Sequence, residues 1–220
     1  FEPAATRALS VFDPEKILSG ELGLRGSLWT ERLSYQAGGY AYDVDDYQIQ
    51  VIENGLARTV NTNGVRGYGL ESQLQALLSP NWQFQLAYAY THAQFKDFDT
   101  DAGSLDGNRT ILTPQHSGYL SFNYTSPDYS WGSLALMWRT EYQSDIFFTA
   151  QNTSQDRQDD FFRSTAQLSY IEPGENWQID LMVRNIFDED VLIFKQDVGA
   201  GEVARRAKPR YVGLAFSGRF

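Results

Sequence analysis

Residues 82–91 read WQFQLAYAYT, and in an extended chain successive side chains point to opposite faces. Trp82, Phe84, Leu86, Tyr88 and Tyr90 therefore share one face, and Gln83, Gln85, Ala87, Ala89 and Thr91 the other. The same division recurs along the chain. Leu70, Leu74, Ala76 and Leu78 stand opposite Glu71, Gln73 and Gln75, while Trp177, Ile179, Leu181 and Val183 stand opposite Gln178, Asp180, Met182 and Arg184. Nine segments follow this period of two, near residues 15–28, 33–51, 62–78, 82–96, 115–125, 131–142, 161–171, 177–187 and 210–220. Almost no helical pattern competes with it, so the chain is expected to be all-β and antiparallel.

Period alone does not say whether the apolar face meets a protein core or lipid, because a soluble sandwich alternates in the same way. The connections separate the two. Short links rich in Pro, Gly, Asn and Asp lie at Thr30–Arg32, Ser79–Asn81, Ser126–Ser130 and Glu172–Asn176. Long polar links lie at about 52–61, 97–114, 143–160 and 188–209 and alternate strictly with the short ones. Outer-membrane barrels have this pattern of tight periplasmic turns and long extracellular loops, whereas compact soluble domains seldom carry so many long structureless loops. Trp29, Trp82, Trp131 and Trp177 each sit at or beside a short turn, where amphipathic rings collect at a membrane boundary. From Trp177 to Phe187, ten steps at about 3.3 Å rise and ~45° tilt cover roughly 23 Å, close to the ~25 Å apolar band of such barrels.

Composition agrees with this reading. Asp plus Glu number 28 against 18 Lys plus Arg, for a net charge of −10, which argues against a nucleic-acid footprint. The absence of cysteine removes disulfide frameworks and thiolate metal sites, and two histidines do not build an imidazole cluster. A mean hydropathy of −0.43 and the lack of a long apolar run exclude a membrane helix. They do not exclude a barrel, which meets lipid at only every second residue. Residues 1–12 show no secretory signal.

Strand parity sets a further expectation. Bacterial single-chain barrels usually have an even number of strands, and nine is odd. If the last strand runs down to the periplasm, so does the first, and residues 1–12 become the end of an extracellular loop. The chain is thus expected to begin partway round a larger barrel.

At the carboxy terminus, WQIDLMVRNIFDED (177–190) resembles the penultimate-strand signature of TonB-dependent outer-membrane receptors, and PRYVGLAFSGRF (209–220) resembles their closing strand. In the latter, Val212, Leu214, Phe216 and Phe220 alternate on one face, similar to the signal read by the outer-membrane assembly machinery. FDPEK (12–16), ELGLRG (21–26), GGYAYDVDDYQIQV (38–51), GYGLESQLQ (67–75) and DGNRTILTPQHS (106–117) follow the order of elements in the family's mid-barrel. The resemblance implies a 22-stranded barrel with an amino-terminal plug. The nine strands here would then be the carboxy-terminal ones, in a fragment lacking the plug, the TonB-contacting box and the first strands. It also implies capture of a scarce ligand, foremost a ferric siderophore, followed by TonB-driven displacement of the plug. Haem, cobalamin or a glycan are the family's other ligands. A passive porin-like channel and a soluble carbohydrate-binding β-sandwich are the alternatives from other classes.

No residue pattern points to catalysis, and no cofactor is expected. Tyr40, Tyr42, Arg139, Glu141 and Arg163 combine the polar face with the extracellular ends of strands, and Phe147 and Phe148 place aromatic rings in a loop. These seven are the candidate ligand contacts; a solvated lumen network or contact with the plug is the simpler role for any single one. Asp43, Asp45 and Asp46 could suggest oxygen ligands to a metal, but alternating directions along a strand are expected to separate them. Asp97, Asp99, Asp101 and Asp106 form a second acidic group, also read as solvated charge. His92 and His116 project with the apolar set, which favours an interface or lipopolysaccharide contact. Arg205, Arg206, Lys208 and Arg210 are read as a solvated basic loop that could also meet an anionic ligand or lipopolysaccharide phosphate.

Overall fold

A computed structural model describes residues 12–53, 56–100, 103–197 and 201–218. In chain order, β1 (Lys16–Leu28) turns into β2 (Leu33–Asp45), followed by a hairpin of β3 (Gln48–Glu53) and β4 (Leu56–Asn61). Next come β5 (Gly64–Ser79) and β6 (Trp82–Phe95), then the small hairpin β7 (Asp99–Thr100) and β8 (Gly103–Ser104). β9 (His116–Thr125) and β10 (Ser133–Gln143) precede β11 (Ile146–Phe147), a 3-10 turn at Ser154–Asp156 and β12 (Arg157–Gln158). β13 (Phe161–Ile171) and β14 (Trp177–Arg184) lead to β15 (Leu192–Asp197), β16 (Glu202–Arg206) and the last strand, β17 (Tyr211–Gly218).

Nine of these strands form one antiparallel sheet in the order β1-β2-β5-β6-β9-β10-β13-β14-β17, each paired with its neighbour in sequence. The other eight form four two-stranded hairpins, one in each long link. Those links are therefore not structureless, as the sequence suggested. The segment read as a single strand over 33–51 is divided for the same reason. Asp46 adopts a left-handed conformation (φ 58°) that ends β2, and Gln48 starts the loop hairpin. At the other end of the chain, the segment read as 177–187 stops at Arg184 because Asn185 turns left-handed (φ 51°). Phe187 thus lies beyond the strand and does not mark its apolar span. Within β6 the distance from Trp82 to His92 is also ten steps, and this interval sets the band at roughly 23 Å.

Pairing carries the alternation across the sheet. Leu24, Ala37, Ser72, Tyr88 and Gly118 lie in one row, and Leu74, Leu86 and Leu120 in the next. The apolar face is the outer one and is bare. Leu22 is 83% exposed and Leu214 76%. A single sheet with such a face is what lipid requires, and it does not form the two-layered core of a sandwich. Aromatic rings gather at the turn end of this face. Trp82 lies 4.7 Å from Tyr124, while Tyr170 lies 6.3 Å from Trp131 and 5.4 Å from Trp177. Phe216, 6.1 Å from Trp177, continues the row; Phe220 lies outside the described residues.

His92 occupies the same outer face ten steps above Trp82, and His116 eight steps above Tyr124. The Tyr68 ring is 4.8 Å from His92, and the Tyr88 hydroxyl is 2.7 Å from His116 Nδ1. Tyr68, Tyr88, Tyr90 and the two imidazoles thus form an upper aromatic girdle where the apolar band ends.

The buried core sits at the extracellular end. Val44, Val65 and Phe95, on the polar-face side of their strands, pack with Ile49, Phe98, Leu105 and Ala150 from the loops. The loop hairpins consequently fold inward over the mouth.

Candidate functional site

The inner face below the loops carries two clusters. In the first, Tyr40 and Tyr42 are neighbours on one face of β2, with ring centroids 6.2 Å apart and planes 11° from parallel. Gly69 and Gly67, their partners on β5, make room for these rings. A Cβ on Gly67 would run into the Tyr42 ring, and one on Gly69 into the Tyr40 ring and the Tyr90 carbonyl. The Tyr40 hydroxyl reaches across β5 to Thr91 Oγ1 at 3.0 Å. Two flat rings are thereby fixed over a glycine floor.

In the second cluster, Glu141 on β10 accepts from Arg139 Nε at 3.0 Å and from Arg163 Nη2 at 3.2 Å. Arg163 is paired with Glu141 across β10 and β13, and Arg139 is two residues away on the same face. The Arg139 guanidinium also lies 3.7 Å from the centre of the Tyr119 ring. One carboxylate between two guanidinium groups leaves a net positive cluster with N–H donors to spare, which suits an anionic ligand. The two clusters are four inter-strand spacings apart across the strands, roughly 19 Å at ~4.8 Å each, and offset along them, since the row through Glu141 meets β2 at Gln36, four residues before Tyr40.

The loop aromatics have separate places. Phe147 lies under the Arg109 guanidinium, 4.6 Å from its ring centre, and Arg109 in turn contacts the Asp145 carboxylate. The links 97–114 and 143–160 are stitched together around this point. Arg109 N donates to Asn152 Oδ1 at 2.7 Å, Asn108 Nδ2 to the Ala150 carbonyl at 2.9 Å, and Leu112 N to the Phe147 carbonyl at 2.9 Å. Phe148 instead lines a cavity of about 530 Å³ with Ile49, Phe98, Leu105, Ile111 and Phe194.

Of the predicted contacts, the structure unites Arg139, Glu141 and Arg163, pairs Tyr40 with Tyr42, and divides Phe147 from Phe148. Tyr119 and Thr91 were not anticipated. Parity offered a signal for Tyr119, a lone aromatic on the polar face among Ser117, Ser121 and Asn123. Thr91 had none, since its role depends on which strand lies beyond β5.

The first acidic group is neutralised locally. Asp43 and Asp45, two residues apart, share a face rather than being separated, and Lys96 Nζ reaches both, at 2.6 and 3.3 Å. Arg66 joins Asp43 at 3.1 Å. The hydrogen bond to Asp43 holds the Lys96 ammonium above the ordinary lysine range, with Asp45 adding to it and desolvation opposing. Asp106 accepts from the Asp97 backbone N–H at 2.9 Å; Asp101 lies outside the described residues.

The NIFD segment also has a physical role. Asn185 bonds Glu189 in both directions at 2.9 Å, and Asp188 accepts from Arg210 N at 2.8 Å. These contacts fasten the end of β14 to the start of β17. Arg206 pairs with Asp190 at 3.2 Å.

Comparison with known proteins places this geometry. The family described as "TonB dependent receptor-like, beta-barrel" matches residues 3–186. The ferric yersiniabactin uptake receptor FyuA from Yersinia pestis superimposes with a TM-score of 0.80 at 22% identity, covering 93% of this chain and 30% of that one. The ferric citrate transporter FecA gives 0.70 at 23% identity, covering 93% and 32%, and the copper transporter OprC gives 0.71 at 18%, covering 93% and 30%. The chain spans about a third of the length of these structures. Nine paired strands with a lipid-facing outer surface, a polar inner wall and inward-folded loops, together with the family match, identify the chain as a member of the TonB-dependent receptor β-barrel family of the bacterial outer membrane.

Proposed function

We propose that these nine strands form the carboxy-terminal part of a 22-stranded barrel whose receptor imports a scarce nutrient, foremost a ferric siderophore or related metal chelate, using energy from the TonB system. A plug domain outside residues 1–220 would make the TonB contact. Family membership supports a transport receptor rather than an enzyme. The iron and copper cargoes in the names of the compared structures support a metal chelate.

The observation that carries the ligand reading is the Arg139–Glu141–Arg163 cluster with its Tyr119 stack, open on the inner wall beneath the loops. Excess guanidinium and aromatic faces suit an anionic chelate with planar groups. Tyr40 and Tyr42 offer a second aromatic surface on the same wall, while Phe147 and Phe148 act from the loops. The outer girdle would meet lipid and lipopolysaccharide, and Phe216 with Phe220 would be read by the barrel assembly machinery.

The test is a chromosomal deletion of the full-length gene, grown under iron limitation and assayed with radiolabelled ferric siderophores in strains with and without active TonB. Loss of uptake of one chelate, reproduced by TonB inactivation, is expected. Unchanged uptake of every ferric chelate tried would count against the reading.

A further inference from the structure

The last wall strand, β17, and the hairpin above it share an edge. The chain leaves β14 into β15 and returns through β16, and only Ala207–Arg210 separate β16 from β17. Ala207 N donates to the Val191 carbonyl at 2.8 Å, which carries the β15–β16 ladder down toward the wall. The hairpin therefore stands above β14 and β17 in the same order, with β16 on the side of β17.

Its two strands have different surroundings. β15 is held by the neighbouring link, because Leu192 N donates to Gln158 Oε1 at 2.7 Å and Lys195 Nζ contacts the Gln155 carbonyl. β16 has no second neighbour among the described residues, and all five of its residues are exposed, as are all but Gly213 in β17. The register shift of this hairpin falls in β15, at Ile193, so β16 stays regular. Since Ala207 turns its N–H toward β15, alternation along the strand turns the N–H and C=O groups of Glu202, Ala204 and Arg206 outward.

An open row of this kind is a template for another strand. The usual guards are charge, proline or a bulge, and β16 contains neither of the last two. Its charges on that row are engaged within the link, Glu202 with Lys195 at 3.3 Å and Arg206 with Asp190 at 3.2 Å. At the centre stand Ala204 and Val203, the latter 49% exposed above the membrane.

We propose that β16 is an interaction surface for the first extracellular link of the full-length receptor, which adds to it as a third, antiparallel strand. This rests on the barrel proposed above, in which the far side of β17 is taken by the first strand; that strand, continued upward, reaches β16. The seam of the barrel is then closed by two ladders, one within the membrane on β17 and one outside it on β16. The last link is thereby tied to the first.

The experiment uses the full-length receptor in outer-membrane vesicles, with any cysteine outside residues 1–220 replaced by serine. Ala204→Cys is combined with single cysteines along the first extracellular link, and Ala215→Cys, in β17, with single cysteines along the first strand. Disulfide formation under mild oxidation is scored after folding is checked by heat-modifiable gel mobility. A bridge requires Cα atoms within about 7 Å, so only directly facing positions react. Expected are bridges in both series, each confined to one register. In the receptor without added cysteines, hydrogen exchange at the Ala204 and Arg206 amides should be about a hundredfold or more slower than at an unpaired edge. Bridges from Ala215→Cys with none from Ala204→Cys, or unprotected Ala204 and Arg206 amides, would overturn the proposal and leave the barrel standing. Absence of bridges in both series would remove the barrel closure and the proposal with it.

Discussion

The Arg139 guanidinium carbon lies over the Tyr119 ring, 3.7 Å from its centre, while Nε donates to Glu141 at 3.0 Å. A planar group is needed for both contacts at once, and lysine has none. Arg139→Lys is expected to weaken ligand binding by the full-length receptor about tenfold while leaving barrel folding unchanged. Isothermal titration beside a heat-modifiability gel would check both parts. Equal affinity would remove Arg139 from the ligand path.

Gly69 has a different kind of importance. A methyl group there would meet the Tyr90 carbonyl of the next strand as well as the Tyr40 ring, so a backbone must move. Gly69→Ala is expected to destabilise the wall by roughly 1–3 kcal/mol and to release Tyr40 from Thr91. Urea unfolding in lipid vesicles measures the first effect, and ultraviolet Raman spectroscopy of the tyrosine hydroxyl environment the second. Tyr40→Phe should keep most of the stability, because only the hydroxyl bond is lost.

Arg109 holds two loops together. Its side chain contacts Asp145 and covers Phe147, while its backbone exchanges hydrogen bonds with Asn152 at 2.7 and 3.0 Å. Arg109→Ala should lower the opening free energy of both links by about 1–3 kcal/mol. Hydrogen exchange is expected to accelerate in residues 103–114 and 143–160 together. Faster exchange in only one link would contradict the coupling.

For Lys96 the sign of the pH effect follows from its partners. Asp43, and then Asp45, raise its folded pKa above the unfolded value. Its contribution is therefore complete below the ordinary lysine pKa of about 10.4 and is lost as pH rises through the higher folded value. Between pH 7 and 10, Lys96→Met should melt lower than wild type by a constant margin, and that margin should shrink at higher pH. A margin independent of pH throughout would show that packing rather than charge is responsible.

The wall was legible because lipid imposes one rule on every strand. Trp82, Phe84, Leu86, Tyr88 and Tyr90 had to face outward together, and the short turns then fixed the order of pairing. Strand ends were less legible. Asp46 and Asn185 stop their strands through left-handed backbone conformations, although the apolar pattern continues past both. The candidate site was partly visible, since Glu141 and Arg163 are polar-face residues near the extracellular end. Tyr119 and the Arg109 clasp needed the register between β9 and β10 and the folding of one loop onto another. Composition does not encode either.

The account depends most on which face of each strand meets water, and residues 1–220 contain no cysteine, so one placed at a chosen position is the single thiol of this part of the receptor. Labelling of the full-length receptor in outer-membrane vesicles with a water-soluble maleimide, at each position from Gln83 to Thr91, tests it most directly. Reaction is predicted at Gln83, Gln85, Ala87, Ala89 and Thr91, with protection at Phe84, Leu86, Tyr88 and Tyr90. Uniform labelling, or the opposite alternation, would contradict a lipid-facing barrel wall.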